Sequence, residues 1–92
     1  MKIDFTNIAD MEDFYAALKE IITLPEYFGD NLDALFDFIT GDAEMPLELE
    51  FENMSVDQLE DFEDLINTME DAEEEVENFT FKYYLELYDD GE

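Results

Sequence analysis

Hydrophobic and polar positions alternate along the chain with two different periods, and the changes of period mark out the elements. Ile3 and Phe5 alternate with polar neighbours and predict a short strand over 2–6. Met11, Phe14, Tyr15, Leu18, Ile21 and Ile22 then recur at helical spacing, with Asp10 placed as N-cap, so a helix is expected from about 11 to 22. Thr23–Leu24–Pro25 ends it, because the residue before proline avoids the helical region. A turn around Gly29 leads into a second helix near 31–39, which Thr40–Gly41 closes, Gly41 being suited to a left-handed cap. After Pro46, Leu47, Leu49 and Phe51 alternate with Glu48, Glu50 and Glu52, the pattern of a strand with one dry face. Ser55 and Gln58 form a capping-box pair that opens a long helix to about 75, striped by Leu59, Phe62, Leu65, Ile66, Met69 and Ala72. The final strand, 79–87, points Phe79, Phe81, Tyr83, Leu85 and Leu87 one way, and the closing YDDGE is expected to fray.

The element order is strand, helix, helix, strand, helix, strand. Helical connections of this length favour parallel pairing with right-handed crossovers. Strict alternation in each strand leaves one sheet face polar, so the expected fold is α/β, a small two-layer fold with a three-stranded parallel sheet and helices packed on one face. The length of 92 residues suits a single domain spanning 1–92, with one core and a surface site but little room for a deep cofactor cleft.

Composition changes the picture through charge. Three lysines (Lys2, Lys19, Lys82) stand against 29 acids, a formal net charge of −26, with no arginine, histidine or cysteine. A hydrophobic content of 47% and an aromatic content of 15% argue for a folded chain despite that charge. Such a surface repels nucleic acid and anionic membrane and attracts basic partners. Adaptation to high salt is an alternative source of the total charge. The absence of cysteine excludes disulfides and thiolate chemistry and fits a reducing compartment. Asp4, Asp10, Glu12 and Asp13 occupy the region where a signal peptide needs an apolar run, and no stretch has the length of a membrane span. A soluble, cytoplasmic protein is expected.

The second helix carries the most specific local signal. On a wheel at about 100° per residue, Leu35, Phe36 and Ile39 fall within about 60° of Leu32 and form the buried stripe. Asp33, Asp37 and Thr40 cluster at about 80–140°, on an exposed flank. Tyr27, Gly29 and Asn31 lie in the turn feeding the same end. Two aspartates one turn apart cost a helix about 0.2–0.5 kcal/mol, so folding gains nothing from them, whereas a cationic partner would. Solvated positions in an acid-rich chain are the plainer account of the two aspartates.

The run LPEYFGDNLDALFDFITG, followed by EMPLELEF, resembles the barstar family of ribonuclease inhibitors. The likeness is dense over about residues 22–51, where Leu-Pro-Glu-Tyr, Gly-x-Asn-Leu-Asp-Ala-Leu and Asp-x-x-Thr-Gly occur together at the family's spacing. The resemblance implies an inhibitor that inserts this helix and its preceding loop into the active-site cleft of a basic, barnase-like ribonuclease, one to one, while the free protein is monomeric. It implies Asp37 as the central acid at the phosphate site and Asp33 as its neighbour. Tyr27, Gly29, Asn31, Phe36 and Thr40 would line the interface, with Phe36 where barstar has a tryptophan. Asp42 departs from the family, which has a second tryptophan there. A further acid on the third long helix matches Asp71 best, with Glu70 and Glu73 as alternatives.

No enzyme is expected. Paired carboxylates serve glycoside hydrolysis, but this chain has no histidine, cysteine or arginine to support such chemistry and no evident cleft. The calcium-loop pattern Asp-x-Asp-x-Asp-Gly is absent, so neither a metal nor another cofactor is expected. The competing function is an acidic barstar-like module that regulates another basic or nucleic-acid-binding protein by mimicking nucleic acid.

Overall fold

A computed structural model describes residues 1–26 and 28–86. Three strands, β1 (Lys2–Asp4), β2 (Leu47–Met54) and β3 (Phe79–Leu85), form one sheet in the order β1-β2-β3, and both pairings are parallel. Four helices join them: α1 (Met11–Ile21), α2 (Leu32–Asp37), α3 (Val56–Asp61) and α4 (Glu63–Glu75). No helix among the described residues is long and apolar enough to cross a membrane.

The two faces of the sheet differ as the alternation predicts. Ile3, Leu47, Leu49, Phe51, Phe79 and Phe81 are buried beneath the helices. On the other face Lys2 and Lys82 flank Glu50 in register, and Lys2 pairs with Glu52 at 3.5 Å. The centre of the core is aromatic. Phe51 lies 4.8 Å from Phe5, 5.5 Å from Phe14 and 4.9 Å from Phe81, ring to ring, tilted or edge-on, which are favourable orientations for aromatic quadrupoles.

The caps explain where the helices begin. The Asp10 carboxylate accepts from the Asp13 N–H and starts α1. The Ser55–Gln58 capping box is complete, and Gln58 extends further. Its Nε2 donates to the carbonyls of Phe5 and Ile8, both at 2.8 Å, tying α3 to the exit of β1.

Four expectations are corrected by the structure. β1 ends at Asp4 and turns into a single 3₁₀ turn, Phe5–Asn7, because the Asp4 carboxylate accepts from the Thr6 N–H and hydroxyl. These bonds and one from Asn53 hold the Asp4 carboxyl below its ordinary pKa. The long helix is two helices, broken at Phe62 (φ −108°, ψ 23°), whose buried ring meets Phe5 edge-on at 5.4 Å. This bend keeps α3 pinned through Gln58 while α4 packs on β3 and α2. Gly41 is no left-handed cap, since α2 runs into a π turn, Phe38–Asp42, closed by Ala43 N–H donating to the Phe38 carbonyl at 2.8 Å. The expected alternation of β2 holds from Leu47 to Glu52, and only past it does a bulge, with Asn53 at φ 62°, turn Met54 inward to full burial. β3 loses its cover after Phe81, so Tyr83, opposite Phe51, and Leu85, opposite Met54, are exposed; Leu87 and the YDDGE tail lie outside the described residues.

Candidate functional site

Helix α2 begins at Asn31, whose side-chain oxygen accepts from the Ala34 N–H at 2.7 Å. Its amide donates back to the Gly29 carbonyl at 3.2 Å. A methyl group on Gly29 would sit 2.9 Å from that same Asn31 nitrogen, so a side chain here would push against the helix cap. Gly29 and Asn31 are exposed, in the turn before the helix, as expected.

Leu35 and Ile39 anchor the helix in the core, while Leu32 and Phe36 are only half-buried. Both pack against the edge of the core and also line a groove of about 490 Å³ together with Asp33, Asp37, Thr68 and Asp71. The structure therefore brings Asp33, Asp37, Phe36 and Asp71 onto one surface, the first three from α2 and the last from α4. Among the three acids considered on α4, Asp71 faces α2, whereas the Glu73 carboxylate accepts from the Phe81 N–H at 3.1 Å. The groove has no basic lining residue. Lys2 and Lys82 lie on the open face of the sheet, and Lys19 is paired with Asp30. Among the described residues no cluster of acids is arranged to hold a metal ion.

Asp37 also borders a second hollow of about 240 Å³, lined by Pro25, Phe28, Ala34, Phe38 and Asp42. It thus stands between two depressions, exposed to solvent. Thr40 is outside both. It lies in the π turn, half-buried, and its hydroxyl donates to the Phe36 carbonyl at 2.8 Å. Tyr27 lies outside the described residues.

Two features escaped the sequence reading. Thr68 lines the groove because it is three residues before Asp71 on one face of α4, a relation the helical period already contains. Phe38 falls on the polar side of the α2 wheel yet is buried, because the ring of Phe28 meets it edge-on at 6.5 Å from the preceding loop. No periodicity within a helix reports cover supplied by a loop. Tyr15 is likewise buried with its hydroxyl unpartnered, and burial with the nearby Asp30 carboxylate pushes its pKa up to about 12.

Comparison with known proteins matches residues 1–87 to the family model described as "Barstar (barnase inhibitor)". A protein of Bacillus subtilis (strain 168) named "Putative ribonuclease inhibitor YrdF" is 36% identical over 88 residues, covering 90% of each chain. The parallel three-stranded sheet, the acid-bearing second helix and a match across nearly the full length agree: the chain belongs to the barstar family.

Proposed function

We propose that this protein inhibits a basic, barnase-like ribonuclease by plugging its active site with α2 and the loop before it. The observation that carries the reading is the groove in which Asp33, Asp37 and Asp71 share one surface with Phe36 and no cation. A ribonuclease site holds several cations to grip the RNA backbone, and these repel one another when the site is empty. Carboxylates one turn apart are spaced to satisfy them as adjacent phosphates do, and Phe36 supplies apolar contact beside them. Aspartate suits this role better than glutamate, because the shorter side chain loses less rotamer entropy when fixed. Asp37 is the central acid in this reading, with Asp33 and Asp71 to one side and Gly29, Asn31, Phe36 and Thr40 around it. Tyr27 belongs to the same proposed contact set by its place in the family motif.

In this reading the protein works in the cytoplasm as a monomeric antitoxin or immunity protein, one copy per nuclease. The test is a titration against a purified barnase-like ribonuclease, followed by cleavage of a fluorogenic RNA. Cleavage should fall linearly and vanish near one equivalent. Undiminished cleavage at a tenfold excess over each member of a panel of such enzymes would remove the proposal.

A further inference from the structure

The loop before α2 is gripped from α1. Asp30 lies in it at φ 51°, in the left-handed region that glycine favours and that aspartate and asparagine adopt more readily than other side-chain-bearing residues. Lys19 reaches across from α1, with its Nζ 3.0 Å from one Asp30 carboxylate oxygen and 3.2 Å from the other. Four residues earlier on α1, Tyr15 is buried and meets the Phe28 ring edge-on at 5.8 Å. That spacing aims both side chains at the same loop. From the other side, Asn31 clasps Gly29 and caps α2.

The Lys19–Asp30 pair is about half exposed, at 48% and 47% for the two side chains, so it adds little to global stability. Electrostatically it is out of place, because a lysine beside an acidic surface weakens that surface's pull on a basic partner. Its use is therefore geometric.

We infer that Lys19 is a positioning residue for nuclease binding. By gripping Asp30 it fixes the backbone of Gly29, Asp30 and Asn31, and so sets the start of α2 and the placement of Asp33 and Asp37. The inference rests on the inhibitory reading above for its consequence, while the grip itself is a property of the free protein.

Steering and positioning predict opposite signs. Removing a positive charge takes the net charge from −26 to −27, so steering alone makes Lys19→Met associate faster with a basic nuclease and bind tighter. Positioning makes the complex fall apart faster. The experiment measures association and dissociation rates for wild type, Lys19→Met and Lys19→Arg with a barnase-like ribonuclease. It also measures ¹⁵N order parameters of the free proteins. The dissociation rate of Lys19→Met should rise about tenfold with an association rate equal to or above wild type, while Lys19→Arg stays within about twofold. In Lys19→Met alone, order parameters at residues 29–31 should fall from about 0.85 toward about 0.6, with the rest of the chain unchanged. Unchanged order parameters there, or a Lys19→Met complex as long-lived as wild type, would overturn the inference. If the wild-type chain binds no such nuclease, the functional reading fails separately, and the order parameters still decide whether Lys19 holds the loop.

Discussion

Asp37→Ala should cost at least about 2 kcal/mol of affinity for the nuclease, the scale of an interface hot spot, while leaving the fold as stable as before or slightly more so. The two halves of this result have separate causes. Asp37 is exposed and follows Asp33 by one turn. Its removal relieves a like-charge pair by about 0.2–0.5 kcal/mol. In the complex the balance reverses, because cations of the nuclease would stay desolvated without their partner. Asp33 lies in the first turn, where the dipole favours it, so Asp33→Ala should lose less affinity and destabilise the free protein slightly. Thermal melts and titration calorimetry on both variants, with Glu60→Ala on α3 as a control away from the groove, separate folding from binding. Equal affinities for Asp37→Ala and the Glu60 variant would remove α2 from the mechanism.

The association rate should fall by at least about two decades between low and high salt. The formal charge is −26, and the groove between α2 and α4 is lined by acids and no base. Attraction to a basic cleft then acts over the Debye length, which shrinks from about 30 Å at 0.01 M to about 3 Å at 1 M. Steered pairs reach about 10⁸–10⁹ M⁻¹s⁻¹ at low salt, against about 10⁵–10⁶ without steering. Dissociation should change only severalfold, since contacts already formed are poorly screened. Stopped-flow mixing across that range measures both rates, and an association rate that is flat with salt contradicts the role given to the acidic surface.

Where an element's own letters determine its environment, the sequence was readable. Asp10 and the stripe from Phe14 to Leu18 specify α1, Ser55 and Gln58 specify the start of α3, and the alternation from Leu47 to Phe51 specifies which face of β2 is dry. The flank shared by Asp33 and Asp37 follows from the helical period alone. What could not be read depends on distant partners. Phe38 is covered by Phe28 from a loop, and the break at Phe62 has no glycine or proline to announce it. Asn53 moves Met54 inward by a bulge, which an alternation rule treats as an error of phase. Asp71 reached the site by family likeness, and only the packing of α4 on α2 supplies the physical reason. The Lys19–Asp30 grip joins residues eleven apart across a turn, beyond any helical or strand period.

Active-site blockade is the centre of this account, and competition tests it most directly. Calorimetric titration of the nuclease should be repeated with increasing amounts of a mononucleotide that occupies its phosphate site. If α2 and its acids take the place of the RNA backbone, the apparent dissociation constant should rise in proportion to the nucleotide's occupancy, with no ternary complex. An apparent dissociation constant that does not move when the nuclease is saturated with nucleotide would show that the inhibitor binds elsewhere, and the acidic groove would lose its assigned role.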